Sequence, residues 1–409
     1  MTALIAPITE DAPCVAVYRE LRDDVPRSSA QIGYGYNLYP AARATHRFLH
    51  RALAVCADLG RLHEYGTVHD AHDRALAAKL AGTYLGVQLD GGQVVFTNGA
   101  TEGIGLVTRW LAACEAGLIL PAPCYYAFEQ TPRRWGGTIQ GRYRHDGHLA
   151  VTSTVAARTA LVEIFPNGVT GTLYSPPPVT PDFRVIDVVF LAGGAAEQPH
   201  AITETVRRRL AGTVADTAVL MTPSKDLCVP GIRPGLLISG HSSLIDAVRD
   251  DVFDRTASSS PLAGQLVLLY LSVLLLAEAA HDRDPKAFAR RYRWLVRQYA
   301  GHEVPTVPSE GDCREIVDHL DAMSGHFARG FDLLSEHAAG LLEMGDHLRP
   351  VAGYSLCPVC PPISPGPRRP SPGSTPSGSS SSSNSTLICC SAAPRSPGTP
   401  CIRGRPGSG

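Results

Sequence analysis

Apolar and polar positions fall into two recurrent patterns along this chain. Over 70–88, Ala71, Leu76, Leu80 and Leu85 recur at helical spacing, which predicts a helix with one buried side. A short apolar run, Val94-Val-Phe96, then enters Asn98-Gly-Ala-Thr101 and predicts a strand leading into a turn. Ile104, Val107, Trp110, Leu111 and Cys114 follow close to the i, i+3, i+7, i+10 pattern of a second helix. Strand-like runs recur at 117–120, 159–164, 184–190 and 218–221. Strands alternating with helices predict an α/β fold with a mostly parallel central sheet covered on both faces. From about 286 the pattern turns helical again, over 287–296 and over 327–342. The first 40 residues are irregular, with a loop-like Gly33-Tyr-Gly-Tyr-Asn-Leu-Tyr-Pro40.

Composition adds limits to this picture. A chain of 409 residues, 44% hydrophobic, can bury a sizeable core. A net charge of −1 gives no electrostatic pull toward nucleic acid or an anionic membrane, so neither is expected as a partner. The start, Met1-Thr-Ala-Leu-Ile-Ala-Pro, has no basic n-region and no long apolar stretch, and a cytoplasmic location is expected. The run 261–280 approaches membrane-spanning length, but it contains Gln265 and Glu278 and lacks a flanking basic cluster. It predicts a buried core helix. The eleven cysteines are scattered and suggest no disulfide framework. Cys357-Pro-Val-Cys360 is half a zinc motif without a second pair, so no metal is expected.

Beyond Cys357 the chain becomes Pro, Ser, Gly and Arg, including Ser379-Ser-Ser-Ser-Ser383, with no acidic residue after Asp346. Such a segment cannot bury enough apolar surface to offset its ordering entropy. Residues 358–409 are therefore expected to form a disordered tail.

Candidate chemistry centres on Lys225, one of three lysines in the chain beside Lys79 and Lys286. It stands in Thr222-Pro-Ser-Lys-Asp-Leu-Cys-Val-Pro-Gly-Ile-Arg-Pro-Gly235, between apolar runs at 218–221 and 236–238. That pattern predicts strand, tight loop, strand, with the amine at a rigid corner. A lysine there either snorkels to water or has its pKa lowered by desolvation, and the second case makes a nucleophile able to form a Schiff base with a carbonyl. Asp187 lies in the apolar run Val185-Ile-Asp-Val-Val, where an unpaired carboxylate is costly and a cation is a natural partner. Gly99, Ala100 and Thr101 open the second helix, whose free N–H groups and dipole favour an anion.

Ser-Lys followed by Gly-x-Arg-x-Gly resembles the cofactor-lysine signature of the class I/II aminotransferases, fold-type I pyridoxal-phosphate (PLP) enzymes. Further motifs of that family stand in the same order. They are Val95-Phe-Thr-Asn-Gly-Ala-Thr-Glu-Gly103, Leu120-Pro-Ala-Pro-Cys-Tyr-Tyr-Ala-Phe128, Phe165-Pro-Asn-Gly-Val-Thr-Gly171 and Val185-Ile-Asp-Val-Val-Phe190. The Gly-Ala-Thr-Glu-Gly-Ile run is nearest to the histidinol-phosphate type. The resemblance covers about 60–357 and implies an N-terminal arm over 1–44, a large PLP-binding domain over 45–285 and an incomplete small domain over 286–357. It implies pyridoxal 5′-phosphate held on Lys225, with its phosphate on Gly99, Ala100, Thr101, Thr222 and Arg233. It also implies Tyr125 stacked on the ring, Asp187 at the pyridine nitrogen, and Tyr65 reaching the phosphate of a neighbouring subunit in a homodimer. The substrates implied are an amino acid and a 2-oxo acid.

Three departures from the family pattern accompany the match. Gly168 stands where the family has the Asn that contacts the ring oxygen, with Asn167 one position earlier, and Phe190 replaces a Tyr that contacts the same oxygen. The interval from Gly168 to Asp187 also leaves no room for the usual intervening helix, as in alliinase-like members. These departures keep open a PLP-dependent lyase or oxidase. Val351-Ala-Gly-Tyr-Ser-Leu356 resembles the strand opening the family's last small-domain sheet, which then fails to continue. A frameshift near codon 357 would account for that. It would also remove the arginine that clamps the substrate's carboxylate, leaving a catalytically impaired relic as a further alternative.

Overall fold

The computed structural model describes residues 39–337, apart from 64, 66–67, 152–155, 192–200, 257–258 and 283. The element order begins α1 (Arg43–Asp58), α2 (Val68–Leu85), β1 (Val94–Asn98), α3 (Ala100–Ala113), β2 (Ala116–Pro121), α4 (Ala127–Arg134), β3 (Thr138–Tyr143) and β4 (Leu149–Val151). It continues β5 (Arg158–Ile164), β6 (Phe183–Val188), α5 (Ala201–Leu210), β7 (Thr217–Met221), β8 (Pro234–Ser239), α6 (Ser242–Thr256), α7 (Pro261–Ala280), α8 (Ala287–Gly301) and α9 (Glu310–His337).

The strands form one eight-stranded sheet in the order β1-β8-β7-β6-β5-β2-β3-β4. Strands β7, β6, β5, β2 and β3 pair in parallel, while β8 runs antiparallel to both of its neighbours and β4 is antiparallel to β3. Central strands are buried along their whole length, as β2, β7 and β8 show, because helices cover both faces. Residues alternate between the faces. Ile186, Val188, Val219 and Met221 join the core beneath α1, α2, α7, α8 and α9, whereas Val185, Ala218 and Leu220 join the core beneath α3, α4 and α6.

The apolar run at 261–280 forms α7, buried without interruption from Ala263 through Leu276 and packed against α2, α8 and β8. It is long and apolar enough to cross a membrane, but most of it is covered by protein. Gln265 is accommodated within it because its Nε2 donates to Asp73 Oδ2 at 2.9 Å, beside the buried Arg61–Asp73 ion pair.

Helix α9 starts well before the stretch at 327–342 that the pattern predicts. Ser309 Oγ accepts from the Asp312 N–H, and Cys313, Ile316, Val317, Leu320 and Met323 supply its buried side. Its first turn is tied to α1 by Arg47 and Arg51, both 2.7 Å from Asp312. Between β5 and β6 the described chain holds no helix, in agreement with the short interval. Tyr174 from that connection packs instead on Ile119, Tyr143 and Leu161 of the sheet. The N-terminal arm before 39, the segment 351–356, Cys357 and the tail lie outside the described residues.

Candidate active site

The pairing directions place the candidate residues along one edge of the sheet. Strands β1, β2, β5, β6 and β7 all end at this edge, and β8 begins there. Gly99 follows β1, Tyr125 follows β2, Asn167 follows β5, Asp187 is near the end of β6, Thr222 and Lys225 follow β7, and Arg233 precedes β8. Loops at the carboxyl ends of parallel strands are where ligands gather in open α/β sheets.

Gly99 caps α3 at φ 80° and ψ 167°, a conformation open essentially to glycine alone. A methyl group there would lie 2.6 Å from Arg233 Nη2, so the missing side chain is what admits the guanidinium. Arg233 itself adopts a left-handed conformation, φ 58°, at the end of the Lys225 loop. Gly235 closes the corner, because a methyl group there would meet Thr97 Oγ1 at 2.6 Å and the Gly99 carbonyl carbon at 2.7 Å. Two glycines and an arginine thus bring a helix N-terminus and a fixed cation together as a cradle for a dianion.

Thr101, in the first turn of α3, has its hydroxyl 3.3 Å from Tyr125 Oη, so the cradle and the aromatic candidate are joined. The Tyr125 ring lies 4.6 Å from that of Tyr126, inclined by 57°, while Phe128 is fully buried core. Thr222 Oγ1 bonds Ser224 Oγ at 2.7 Å and donates to the Pro234 carbonyl at 2.5 Å, fastening the lysine loop to the start of β8. Ser224, the serine of the Ser-Lys motif, is 4% exposed beside Lys225.

Lys225 is half-buried. Burial, and then the charge of Arg233, brings its amine down to about 8. Asp187 is 3% exposed, its Oδ1 has no hydrogen-bond partner, and burial alone pushes the carboxyl up to about 7. An unpartnered buried carboxyl is expensive unless it keeps a proton or receives a cation. The donor set therefore fits PLP. The cradle suits a phosphate, Lys225 an aldehyde, and Asp187 a protonated ring nitrogen.

Two residues sit differently. Asn167 is fully buried, its Nδ2 donates to the Pro123 carbonyl at 2.7 Å, and its Oδ1 accepts from the Val169 and Thr170 N–H groups at 2.9 and 3.3 Å. Its amide braces the loop against the Tyr125 segment. Tyr65 is 81% exposed on the loop after α1. Phe190 packs against Gly168, where a methyl group would come 3.2 Å from its ring, so two of the departures from the family pattern are one apolar contact.

The mostly parallel sheet thus sets a lysine loop, a glycine–arginine cradle and a buried aspartate at one edge. Solved structures share the fold. Aspartate aminotransferase from Thermus thermophilus, as a double mutant, superposes with a TM-score of 0.56 at 18% identity, over 86% of this chain and 84% of that one. A substrate-bound BacF structure from Bacillus subtilis gives 0.57 at 13%, over 86% and 82%. YbdL from Escherichia coli, a methionine aminotransferase, gives 0.54 at 14%, over 87% and 82%. No protein-family model matches the chain, and no curated protein matches it in sequence. The chain has the aminotransferase fold.

Proposed function

We propose that this protein is a PLP-dependent aminotransferase that moves an amino group between an amino acid, or an amine derived from one, and a 2-oxo acid. The observation that carries this reading is the shared edge. A lysine with a lowered pKa, an arginine–glycine cradle and a buried carboxyl without a hydrogen-bond partner on its Oδ1 stand at the same end of the sheet. Aminotransferases among the structurally similar proteins support it.

Bound PLP supplies an aldehyde that captures amines and a ring that draws electrons from the substrate's α-carbon. The chain's own groups divide the remaining work. Arg233, the N–H groups at the start of α3 and the hydroxyl of Thr101 hold the phosphate. Tyr125 would supply an aromatic face to the ring. Asp187 would pass its proton to the ring nitrogen and pair with it as a carboxylate. Lys225 first holds the cofactor. With the amine free, its Nζ would serve as the base that takes the proton from the substrate's α-carbon and as the acid that returns it. Burial keeps water from competing for that proton. The family's homodimeric habit and a cytoplasmic location complete the proposal.

The test is to add PLP to the purified protein and scan for the visible absorption band of a lysine-bound cofactor. A band in the wild type that Lys225→Ala abolishes supports the reading. Absence of the band in the wild type, or its persistence in Lys225→Ala, ends it.

A second reading, a PLP-dependent lyase or oxidase, is favoured by the Phe190–Gly168 contact, which puts an apolar pair where the family pattern has two polar donors. Product analysis with candidate amino acids separates the two. Keto acid that exceeds one equivalent per enzyme only when a 2-oxo acid is present indicates transamination, and multiple turnovers of keto acid or cleaved side chain without one indicate the alternative.

A further inference from the structure

Behind Lys225 the chain carries a buried carboxylate that the proposed reaction does not use. Asp226 is 1% exposed, and its Oδ2 accepts from the Tyr270 hydroxyl at 2.5 Å and from the Leu191 N–H at 3.1 Å. Tyr270 is fully buried in the middle of α7. Leu191 stands four residues beyond Asp187, just past the end of β6. One oxygen atom therefore joins the loop that carries the lysine, the segment that carries the aspartate, and the central core helix.

Apolar residues would fill the same volume without the cost of burying a charge. What they would not supply is direction. A hydrogen bond to a carboxylate fixes two groups within a few tenths of an ångström and within a narrow range of angles. Lys225 and Asp187 must address different ends of one small ring, and a misplacement of about 1 Å can cost about a hundredfold in rate.

We propose that Asp226 and Tyr270 are positioning residues, whose bond sets where Lys225 stands relative to Asp187. The proposal rests on the reading of Lys225 as the cofactor lysine. Burial and the Asp226 charge hold the Tyr270 phenol well above its ordinary pKa, so it remains a donor at any working pH.

Tyr270→Phe removes the hydroxyl and keeps the ring. Its matched control is Tyr299→Phe, which removes an equally buried hydroxyl, 3.1 Å from Ser272 on the same core helix, that belongs to the packing of α7 on α8. Each protein is incubated at pH 8 with saturating PLP and borohydride. The Lys225 amine and the aldehyde form a C=N bond with loss of water, and hydride from borohydride with a proton from water converts it to a secondary amine. Mass spectrometry of the Lys225 peptide follows labelling with time, and melting temperature without cofactor records stability.

The expected result is labelling about tenfold slower in Tyr270→Phe than in wild type and Tyr299→Phe, with both variants destabilised alike. Equal labelling rates in the two variants overturn the positioning role while leaving the cofactor reading intact. A wild type that is not labelled at Lys225 overturns both. Should Tyr270→Phe fail to fold, Asp226→Asn keeps an oxygen acceptor in place without the charge, and its labelling rate is read against the same two outcomes.

Discussion

Asp187 is the residue whose chemistry and stability are most tightly bound together. Its carboxyl is raised from an ordinary 3.8 to about 7 in the folded protein. A raised folded-state pKa gives stability that is complete below about 3.8 and is lost as pH rises toward 7, because the unfolded chain ionises first. The full difference is on the order of 4 kcal/mol. Melting temperature of the cofactor-free protein is therefore expected to fall between pH 4 and 7, and Asp187→Asn to flatten that slope. Parallel slopes would refute the assignment. Adding PLP at pH 7.5 should raise the wild-type melting temperature more than that of Asp187→Asn.

Lys225, brought down to about 8, is expected to capture carbonyl reagents at a rate that climbs with pH and levels off above 8. A rate still rising at pH 10 would indicate an ordinary amine. Gly99→Ala tests the cradle, since the new methyl group meets Arg233 and the backbone conformation resists a side chain by about 1–3 kcal/mol. Calorimetric titration should show PLP binding weakened by about tenfold or more, with the far-ultraviolet spectrum unchanged.

These three residues were legible in the sequence because each is a polar or glycine position that its apolar surroundings make conspicuous. Asp226 and Tyr270 were not. The value of Asp226 lies in a contact with Tyr270 that is 44 positions away, which no local pattern reveals. Asn167 illustrates the converse, a residue whose motif suggests a ligand contact while its amide is committed to three backbone groups.

Among elements, most of those with long apolar stripes were read, the first half of α9 excepted, and those without were not. Helix α7 and the central strands carry their burial in their composition. Strand β3, Thr-Ile-Gln-Gly-Arg-Tyr, and the three-residue β4 do not, because they lie at the sheet edge and are only partly covered. Helices α5 and α6 are short of apolar residues and owe their place to docking on a sheet that already exists.

One element-level interaction stands apart. Arg61, at 4% exposure, pairs with Asp73, at 2%, and Gln265 of α7 completes the group. Removing only the arginine strands a buried carboxylate. Arg61→Met is expected to cost about 3–5 kcal/mol in urea denaturation, whereas Arg61→Met combined with Asp73→Leu should recover most of it. Additive losses in the double variant would exclude the coupling.

On the scale of the whole molecule, the sheet gathers motifs spread from Gly99 to Arg233 onto a single edge through the order of its strands. That convergence was implied by the alternation of strands and helices. The association of subunits was implied only by family resemblance. Leu59, Leu62 and Tyr65 are exposed close together in sequence on the loop after α1, at 38, 47 and 81%. If this loop meets a second copy, sedimentation velocity should show a dimer in the wild type and a shift toward monomer in Leu62→Glu. An unchanged sedimentation coefficient would place the interface elsewhere.

The connection from β5 to β6, which carries Tyr174 in place of a helix, has a consequence for the order of assembly. A parallel pair forms only after the chain has travelled back along the length of a strand, and here no local helix rewards that journey on the way. The antiparallel β7–β8 pair needs only to turn through the Lys225 loop. During refolding, pulsed hydrogen exchange should therefore protect β7 and β8 before β5 and β6. The lysine's corner would then exist before the aspartate's, and the last half of the pocket to arrive would be the one that waits for a cation.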